Sequence, residues 1–132
     1  MAEVGLSVVT EVELLFGVAR RPDATRLRVA VEECVLRVQV LPWTPYAAQQ
    51  YAEIRAALER KGIPMGNLDM MIAAQALAAE AILVTRDRVF QRVQGLKVED
   101  WVVMDLPKKR VCVLPKKARE RFPAPRFHGM EL

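Results

Sequence analysis

The stretch PMGNLDMMIAAQALAAEAILVTRD, residues 64–87, decides the fold that we predict for this chain. It is almost wholly apolar from Met70 to Ala79, a pattern typical of a helix that is buried on every side. AILVT follows as a continuous apolar run of the kind that forms a strand in a parallel sheet. We therefore predict a central helix that opens at Asp69 and a buried strand directly after it.

The segments upstream of this stretch alternate between strand and helix patterns. GLSVVT, residues 5–10, is rich in β-branched residues and predicts a short strand. Thr10 and Glu13 have the spacing of a capping box, which predicts that a helix begins at Thr10. Apolar residues then recur at the spacing of one helix face: Val12, Leu15, Phe16 and Ala19.

The remaining patterns complete an α/β order. A second helix carries an apolar stripe from Leu27 to Val38 and leads into the strand VQVLP. A third helix has Thr44 as its N-cap, Pro45 at its first position and Gly62 at its end. LKVEDWVVM predicts a last strand. The order predicts an α/β fold with a mostly parallel sheet, helices on both faces and a functional site at the carboxyl ends of the strands.

Length and composition predict one folded domain, because 132 residues that are 52% hydrophobic can bury a substantial core. Neither a membrane span nor a signal peptide is recognisable, and the two cysteines have no metal-ligand spacing. We therefore expect a cytoplasmic protein with reduced thiols and no membrane partner.

The net charge of +4 is concentrated at the carboxyl end of the chain. Residues 106–132 carry eight basic and two acidic side chains, whereas the other residues carry 12 basic and 14 acidic side chains. We therefore expect a folded domain over residues 1–105 and a flexible, basic, proline-containing tail over residues 106–132 that adds nothing to the core. Such a tail is commonly a solvated segment; its alternative role is RNA contact through Lys108, Lys109, Arg110, Lys116 and Lys117.

Three carboxylates are expected at one end of the sheet. Glu13 follows the first strand, Asp69 begins the central helix, and Asp87 follows the strand AILVT. Clustered carboxylates repel one another unless a cation neutralises them, and oxygen ligands of this type select Mg²⁺ or Mn²⁺. The same residues also fit ordinary helix-capping and turn positions. Spacing alone leaves both interpretations open.

The order of motifs resembles a known family. SVVTEVELLFG is similar to the pattern S-x-x-T-x-x-E-L-x-x-G of PIN-domain ribonucleases of the VapC toxin type. The resemblance continues through R-x-x-L-x-x-x-G, P-x-G-x-x-D-x-x-I-A-A and L-V-T-x-D-x-x-F-x-R-V-x-G-L-x-V-x-x-W, and covers residues 5–101.

This resemblance implies a Mg²⁺-dependent endoribonuclease that cuts structured RNA, such as tRNA or ribosomal RNA. It also implies a homodimer that is inhibited by a cognate VapB-like antitoxin. Glu13, Asp69 and Asp87 match the family's metal-binding and catalytic carboxylates. Thr85 matches its polar residue beside the site, and Asn67 lies close to that site in the motif.

One element of the family pattern has no match in this sequence. The family's first strand, which ends in an aspartate, precedes the S-x-x-T motif, and we therefore expect a PIN-like domain that is incomplete at its N-terminus. WVVMD, residues 101–105, is similar to that strand, but we expect it to extend the last strand at the edge of the sheet. Two functions follow: a ribonuclease that is impaired by the loss of this aspartate, or an inactive PIN remnant that binds an antitoxin or a paralogue.

Overall fold

The computed structural model describes residues 3–100 and 111–114. Within them, strands and helices alternate along most of the chain. The elements are β1 (Glu3–Ser7), α1 (Val8–Arg20), α2 (Thr25–Arg37), β2 (Gln39–Leu41), α3 (Pro45–Lys61), α4 (Asn67–Ala78), β3 (Ile82–Val84), a 3-10 helix (Arg88–Arg92), β4 (Val98–Glu99) and β5 (Val111–Leu114).

The strands of the described residues form one sheet in the order β2-β1-β5-β3-β4. β1 is parallel to β2 and β3 is parallel to β4, whereas β5 is antiparallel to both of its neighbours, β1 and β3. The strands β1 to β4 therefore all run in the same direction. This arrangement confirms the predicted α/β fold with a mostly parallel sheet.

The central strand β5 corrects an expectation about the basic tail. Residues beyond 105 were expected to add nothing to the core, yet Val111–Leu114 pair with β1 on one side and with β3 on the other. The tail was excluded from the core because it is polar and interrupted by prolines, and WVVMD, residues 101–105, was kept at the edge because reaching the centre was expected to need a connection that crosses the sheet. An antiparallel strand begins at the edge where β4 ends, so no such crossing is required. The predicted extension over residues 101–105 and the other basic tail residues lie outside the described residues.

Two helix pairs cover opposite faces of the sheet. Leu6 of β1 packs in a cluster with Leu14 of α1 and Val31 of α2. The next residue, Ser7, instead contacts Gln75 of α4. Because neighbouring residues of a strand point to opposite faces, α1 and α2 lie on one face of β1 and α4 lies on the other.

The main core surrounds α4, as the apolar sequence predicts. Ile72, Ala73, Ala74 and Ala76 are completely buried, and α4 packs against α3 in the same cluster as Leu83 and Phe90. This confirms that α4 is the central helix. It begins at Asn67, two residues earlier than predicted, and the described part of the chain contains no helix that is long and apolar enough to cross a membrane.

The ends of α3 follow from local sequence. The Thr44 hydroxyl accepts a hydrogen bond from the Ala47 amide at 3.1 Å, and Pro45 occupies the first helical position. Gly62 ends the helix with a φ of 66°, which a glycine adopts without a steric penalty. All three predictions for this helix are confirmed.

The start and the buried face of α1 differ from the prediction. The helix begins at Val8, three residues after Gly5, and its N-cap is Ser7 rather than Thr10. Its buried residues are Val9, Thr10 and Leu14. The apolar positions recognised at helical spacing are instead exposed, with Val12 at 55%, Leu15 at 50% and Phe16 at 63%. Both faces of α1 carry apolar residues, so periodicity could not identify the face that packs on the sheet.

Candidate functional site

The carboxyl ends of the parallel strands define one edge of the sheet. β1 ends at Ser7, β2 at Leu41, β3 at Val84 and β4 at Glu99. In open α/β sheets this edge is where ligands bind, because loops and helix N-termini converge there. Glu13 and Asp87 are on elements that directly follow strands at this edge, namely α1 and the turn after β3, whereas Asp69 is on α4, which follows α3 and contacts this edge through Gln75.

Glu13 is in the second turn of α1 and is partly buried. Because Ser7 caps this helix, Glu13 is not the reciprocal residue of a capping box, and that interpretation of its position was wrong. Thr10, one turn earlier on the same side of the helix, is 1% exposed, and its hydroxyl has no hydrogen-bond partner among the described residues. A polar face of α1 that includes Glu13 therefore adjoins the packed interior.

Asp69 is the third residue of α4 and is partly buried. The N-cap residue, Gly66, has no side chain with which to cap the helix, and a Cβ atom at Gly66 would lie 3.4 Å from Asp69 Oδ2. The Asp69 carboxylate therefore folds back over the helix N-terminus, where the helix dipole favours a negative charge. Asn67, the first residue of α4, is exposed at the same end.

Asp87 and Thr85 form the turn that follows β3. The Thr85 hydroxyl accepts a hydrogen bond from the Asp87 amide at 3.1 Å, and Asp87 Oδ1 accepts one from the Val89 amide at 3.1 Å. Asp87 thereby caps the 3-10 helix and is exposed, whereas Thr85 is buried. Between them, Arg86 contacts Asp100, with 3.5 Å between Nε and Oδ1, and so joins the turn after β3 to the end of β4.

The donor atoms of this region are suited to a divalent cation in their chemistry. Carboxylate oxygens from Glu13, Asp69 and Asp87 are the ligands that Mg²⁺ and Mn²⁺ prefer. Across residues 3–100 and 111–114, however, no three His, Cys, Asp or Glu side chains are grouped so that they could hold a metal ion. The structure thus places the three carboxylates on elements of one edge without joining them in a single cluster.

Sequence reasoning missed a buried polar contact at this edge. Ser7 donates its hydroxyl proton to Gln75 Oε1, and Gln75 Nε2 donates to the carbonyl oxygens of Leu41 and Pro42. The signal in the sequence is that Gln75 is a lone polar residue within the apolar run of α4. Its partners could not be identified, since Ser7 is 68 residues away along the chain.

A mostly parallel α/β sheet binds ligands at the carboxyl ends of its strands, and the acidic residues found after those strands are of the type that divalent cations prefer. The sequence pattern of the PIN domain matches residues 1–96. This match includes most of the chain and all three carboxylates. The chain therefore belongs to the PIN-domain family, whose VapC branch generally depends on a divalent metal.

Sequence relatives are of the VapC type. The chain is 40% identical over 97 residues to the tRNA(fMet)-specific endonuclease VapC of Shigella flexneri, a match that includes 73% of this chain and 74% of that protein. It is 33% identical over 98 residues to ribonuclease VapC2 of Haemophilus influenzae, across 74% of each protein. The predicted VapC-type ribonuclease class is thus confirmed.

Solved structures of VapBC proteins are also similar to this chain. The chain is similar to VapBC-1 from nontypeable Haemophilus influenzae, with a TM-score of 0.71, 30% identity and 76% of each chain covered. It is also similar to DNA-bound VapBC from Salmonella typhimurium, with a TM-score of 0.70, 37% identity and 74% of each chain covered. Both are structures of toxin-antitoxin complexes.

Proposed function

We propose that this chain is the toxin of a VapBC-type toxin-antitoxin system and cleaves RNA with the help of Mg²⁺ or Mn²⁺. The observation that supports the proposal is the PIN-domain match over residues 1–96, which includes Glu13, Asp69 and Asp87. The substrate class is structured RNA, either tRNA or ribosomal RNA; tRNA is the class for which the relative from Shigella flexneri is named. Cleavage of such RNA would take place in the cytoplasm.

In this proposal the carboxylates of Glu13, Asp69 and Asp87 hold the cation. A cation held there would supply Lewis-acid chemistry, which favours ionisation of water and stabilises charge on a phosphate. Capping by Asp87 and the Thr85 bond to its amide orient the turn after β3. Arg86, which is exposed beside Asp87, can donate to a phosphate oxygen of RNA and so help to position the backbone.

The test measures RNA cleavage by the purified chain with Mg²⁺, with Mn²⁺ and with EDTA. Asp69→Asn should abolish cleavage because it removes one charged ligand of the cation while keeping the size of the side chain. Asp23→Asn is the matched control, since Asp23 is exposed in the turn between α1 and α2. Cleavage that persists both in EDTA and in Asp69→Asn would contradict the proposal.

The second candidate is a catalytically inactive PIN domain that binds an antitoxin or a paralogue. It is favoured by the finding that the described carboxylates form no three-residue metal group. Titration calorimetry with Mn²⁺ separates the two candidates. Heat of binding that Asp69→Asn removes supports the enzyme, whereas absence of binding in the unsubstituted chain supports the inactive domain.

The partners of the proposed toxin are a VapB-like antitoxin and a second copy of the chain. Val12, Leu15 and Phe16 form an exposed apolar stripe on α1, a feature that favours protein contact. We assign the homodimer contact to this stripe. Phe16→Glu should convert dimers to monomers in light scattering, whereas Tyr46→Glu, which replaces an exposed aromatic residue of α3, should not. A Phe16→Glu protein that remains dimeric would rule out this surface.

A further inference from the structure

Positive charge is concentrated in the segment between β3 and β4. Residues 86–97 carry four basic side chains and one acidic side chain, that of Asp87. The other residues of 1–105 carry eight basic and 13 acidic side chains, so this segment is the exception in an acidic domain. Its basic residues, Arg86, Arg88, Arg92 and Lys97, are all exposed. An exposed basic segment of this kind attracts anionic partners.

Arg92 is fixed beside the loop that joins α3 to α4. Its neighbours Phe90 and Val93 are buried in the main core and anchor the 3-10 helix. Arg92 itself is exposed, and its Nη1 donates a hydrogen bond to the carbonyl oxygen of Pro64. A guanidinium has five N–H donors, so this bond leaves most of them available to another acceptor. The planar arrangement of these donors is suited to phosphate oxygens.

A groove lies between α3 and the end of the 3-10 helix, and we call it the α3 groove. It has a volume of about 230 Å³, and both Lys61 and Arg92 line it. Its floor includes Ile54, Leu58 and Val93, which are buried residues of the main core. Because Lys61 and Arg92 are exposed, the groove combines an apolar floor with a basic rim.

Three further polar side chains line the α3 groove. Gln50 and Gln94 carry amides that both donate and accept hydrogen bonds, whereas the carboxylate of Glu53 only accepts them. Glu53 is eight residues before Lys61 on α3, which is about 12 Å along the helix. The Lys61 end of the groove therefore suits an anion, and the Glu53 end suits a hydrogen-bond donor.

This combination fits a nucleotide of single-stranded RNA. A nucleobase has apolar faces that pack on an apolar floor, and its edges carry the donors and acceptors that amides and carboxylates recognise. The phosphate of the same nucleotide would meet Lys61 and Arg92. An acidic peptide would also satisfy these two cations, but it would bring carboxylates towards Glu53, whereas the amino group of a base can donate to Glu53.

The chain itself connects the α3 groove to the candidate site. The loop that Arg92 contacts at Pro64 leads directly into α4, whose third residue is Asp69. The 3-10 helix that carries Arg92 begins directly after Asp87. An RNA strand that occupies the groove can therefore continue towards the turn after β3.

We propose that the α3 groove binds one nucleotide of the RNA substrate away from the bond that is cleaved, with the base on the apolar floor and the phosphate at Lys61 and Arg92. The identity of the ligand rests on the proposed RNA-cleaving function. Binding at the groove requires no metal ion, so the groove contributes to RNA affinity in EDTA, a condition in which binding is separated from cleavage.

The experiment measures binding of the full chain to fluorescein-labelled tRNA and to a short single-stranded RNA. Fluorescence anisotropy gives Kd in EDTA at several salt concentrations. Lys61→Gln/Arg92→Gln removes both cations of the groove. The matched control, Arg26→Gln/Arg28→Gln, removes two exposed cations from α2, which lies on the other face of the sheet.

A second pair of variants tests the groove without changing charge. Ala57 lines the groove, so Ala57→Phe should fill it. Ala56→Phe is the control, because Ala56 is an exposed neighbour on α3 that does not line the groove. Thermal melts of both variants report whether the added ring disturbs the fold.

We expect Lys61→Gln/Arg92→Gln to weaken RNA binding about 10-fold and to reduce the slope of log Kd against log salt by about one to two, because each lost phosphate contact lowers this slope. Arg26→Gln/Arg28→Gln should leave the slope unchanged. Ala57→Phe should weaken binding about fivefold or more at an unchanged slope, because the base loses its stacking surface. Ala56→Phe should bind RNA as the unsubstituted chain does.

Equal effects of the two double variants on the slope would assign RNA binding to net charge alone and overturn the proposal. Equal RNA affinity of Ala57→Phe and Ala56→Phe would overturn it as well. Displacement of the labelled RNA by polyglutamate as effectively as by unlabelled RNA would assign the groove to an acidic peptide. Should Lys61→Gln/Arg92→Gln not fold, Lys61→Gln alone decides the outcome, since it keeps the bond from Arg92 to Pro64.

Failure of the groove and failure of the proposed function give different results. A chain that binds RNA through the groove in EDTA but cleaves none with Mg²⁺ or Mn²⁺ contradicts the ribonuclease function alone. A chain that cleaves RNA while its groove variants bind RNA normally contradicts the groove alone. A chain that binds no RNA in EDTA refutes the groove whether or not it cleaves RNA with metal.

Discussion

A proline at Cys112 should separate the two halves of the sheet. Cys112 lies opposite Gly5 of β1 and opposite Leu83 of β3, in the centre of the described sheet. In an antiparallel strand, the amide of such a residue bonds to one neighbour or to the other. Proline has no amide hydrogen, so Cys112→Pro removes one of these bonds and leaves a buried carbonyl on the neighbouring strand without its donor.

The expected loss of stability follows from these two effects. A hydrogen bond contributes about 0.5–1.5 kcal/mol net, and an acceptor left unsatisfied in the interior costs about 1–3 kcal/mol. We therefore expect Cys112→Pro to lower the free energy of unfolding by about 2–4 kcal/mol. For a domain of this size, 2 kcal/mol corresponds to a decrease in melting temperature of about 7 °C.

Cys112→Ala is the matched control because it keeps the backbone amide. Urea unfolding followed by circular dichroism gives the free energies. Hydrogen exchange at Gly5 and Val84 reports the pairing of β1 and β3 with β5, because the Leu83 amide donates instead to the Lys97 carbonyl on the other side of β3. Equal stability of Cys112→Pro and Cys112→Ala, with equal protection of both amides, would refute the central position of β5. It would also restore the expectation that the tail adds nothing to the core.

Three further predictions concern single positions. Thr10→Val should raise the free energy of unfolding by about 1 kcal/mol in urea titrations, since it removes a buried hydroxyl that has no partner in the described structure; a decrease would show that this hydroxyl is satisfied. Gly17→Ala should raise the free energy of unfolding by about 0.5–1 kcal/mol, because Gly17 is in the middle of α1 and nothing lies within 4 Å of the added Cβ. Gly62→Ala should lower it by about 1–2 kcal/mol, because Gly62 has a φ of 66°. Thermal melts that rank the two variants in the reverse order would contradict both predictions. Asp87→Asn keeps a side-chain oxygen that can accept the Val89 amide proton, so the melting temperature should change little while Mn²⁺ binding is lost. If calorimetry shows that Mn²⁺ binding is retained, the only role of Asp87 is to cap the 3-10 helix.

The parts of the fold that sequence predicted are those governed by local chemistry. Both ends of α3 are determined by Thr44, Pro45 and Gly62, whose capping and turn preferences act within a few residues. The central place of α4 was predictable because an apolar helix must be enclosed. β5 was not predictable in this way, because VCVL lies between basic and proline-containing segments and its partners, β1 and β3, are distant in sequence.

The same difference between local and long-range information applies to the candidate site. The order and spacing of the motifs predicted Glu13, Asp69 and Asp87 as site residues, because motif spacing is a property of contiguous sequence; their role stays a prediction. The contact between Ser7 and Gln75 depends on how α4 packs against β1, which no local pattern encodes. Thr10 was interpreted as a helix cap because it fits a capping box, but the competing cap three residues earlier, Ser7, is the one that forms.

Capping and metal binding are compatible roles for the acidic residues of this edge. A carboxylate has two oxygens with about four lone-pair sites, so the bond from the Val89 amide to Asp87 Oδ1 uses only part of its capacity. Such a bond also restricts the side chain and thereby orients a ligand. Asp69, folded over the N-terminus of α4, is restricted in a similar way. Glu13 has no capping-box role, so its placement at the edge is the part of the acidic pattern that helix capping does not explain.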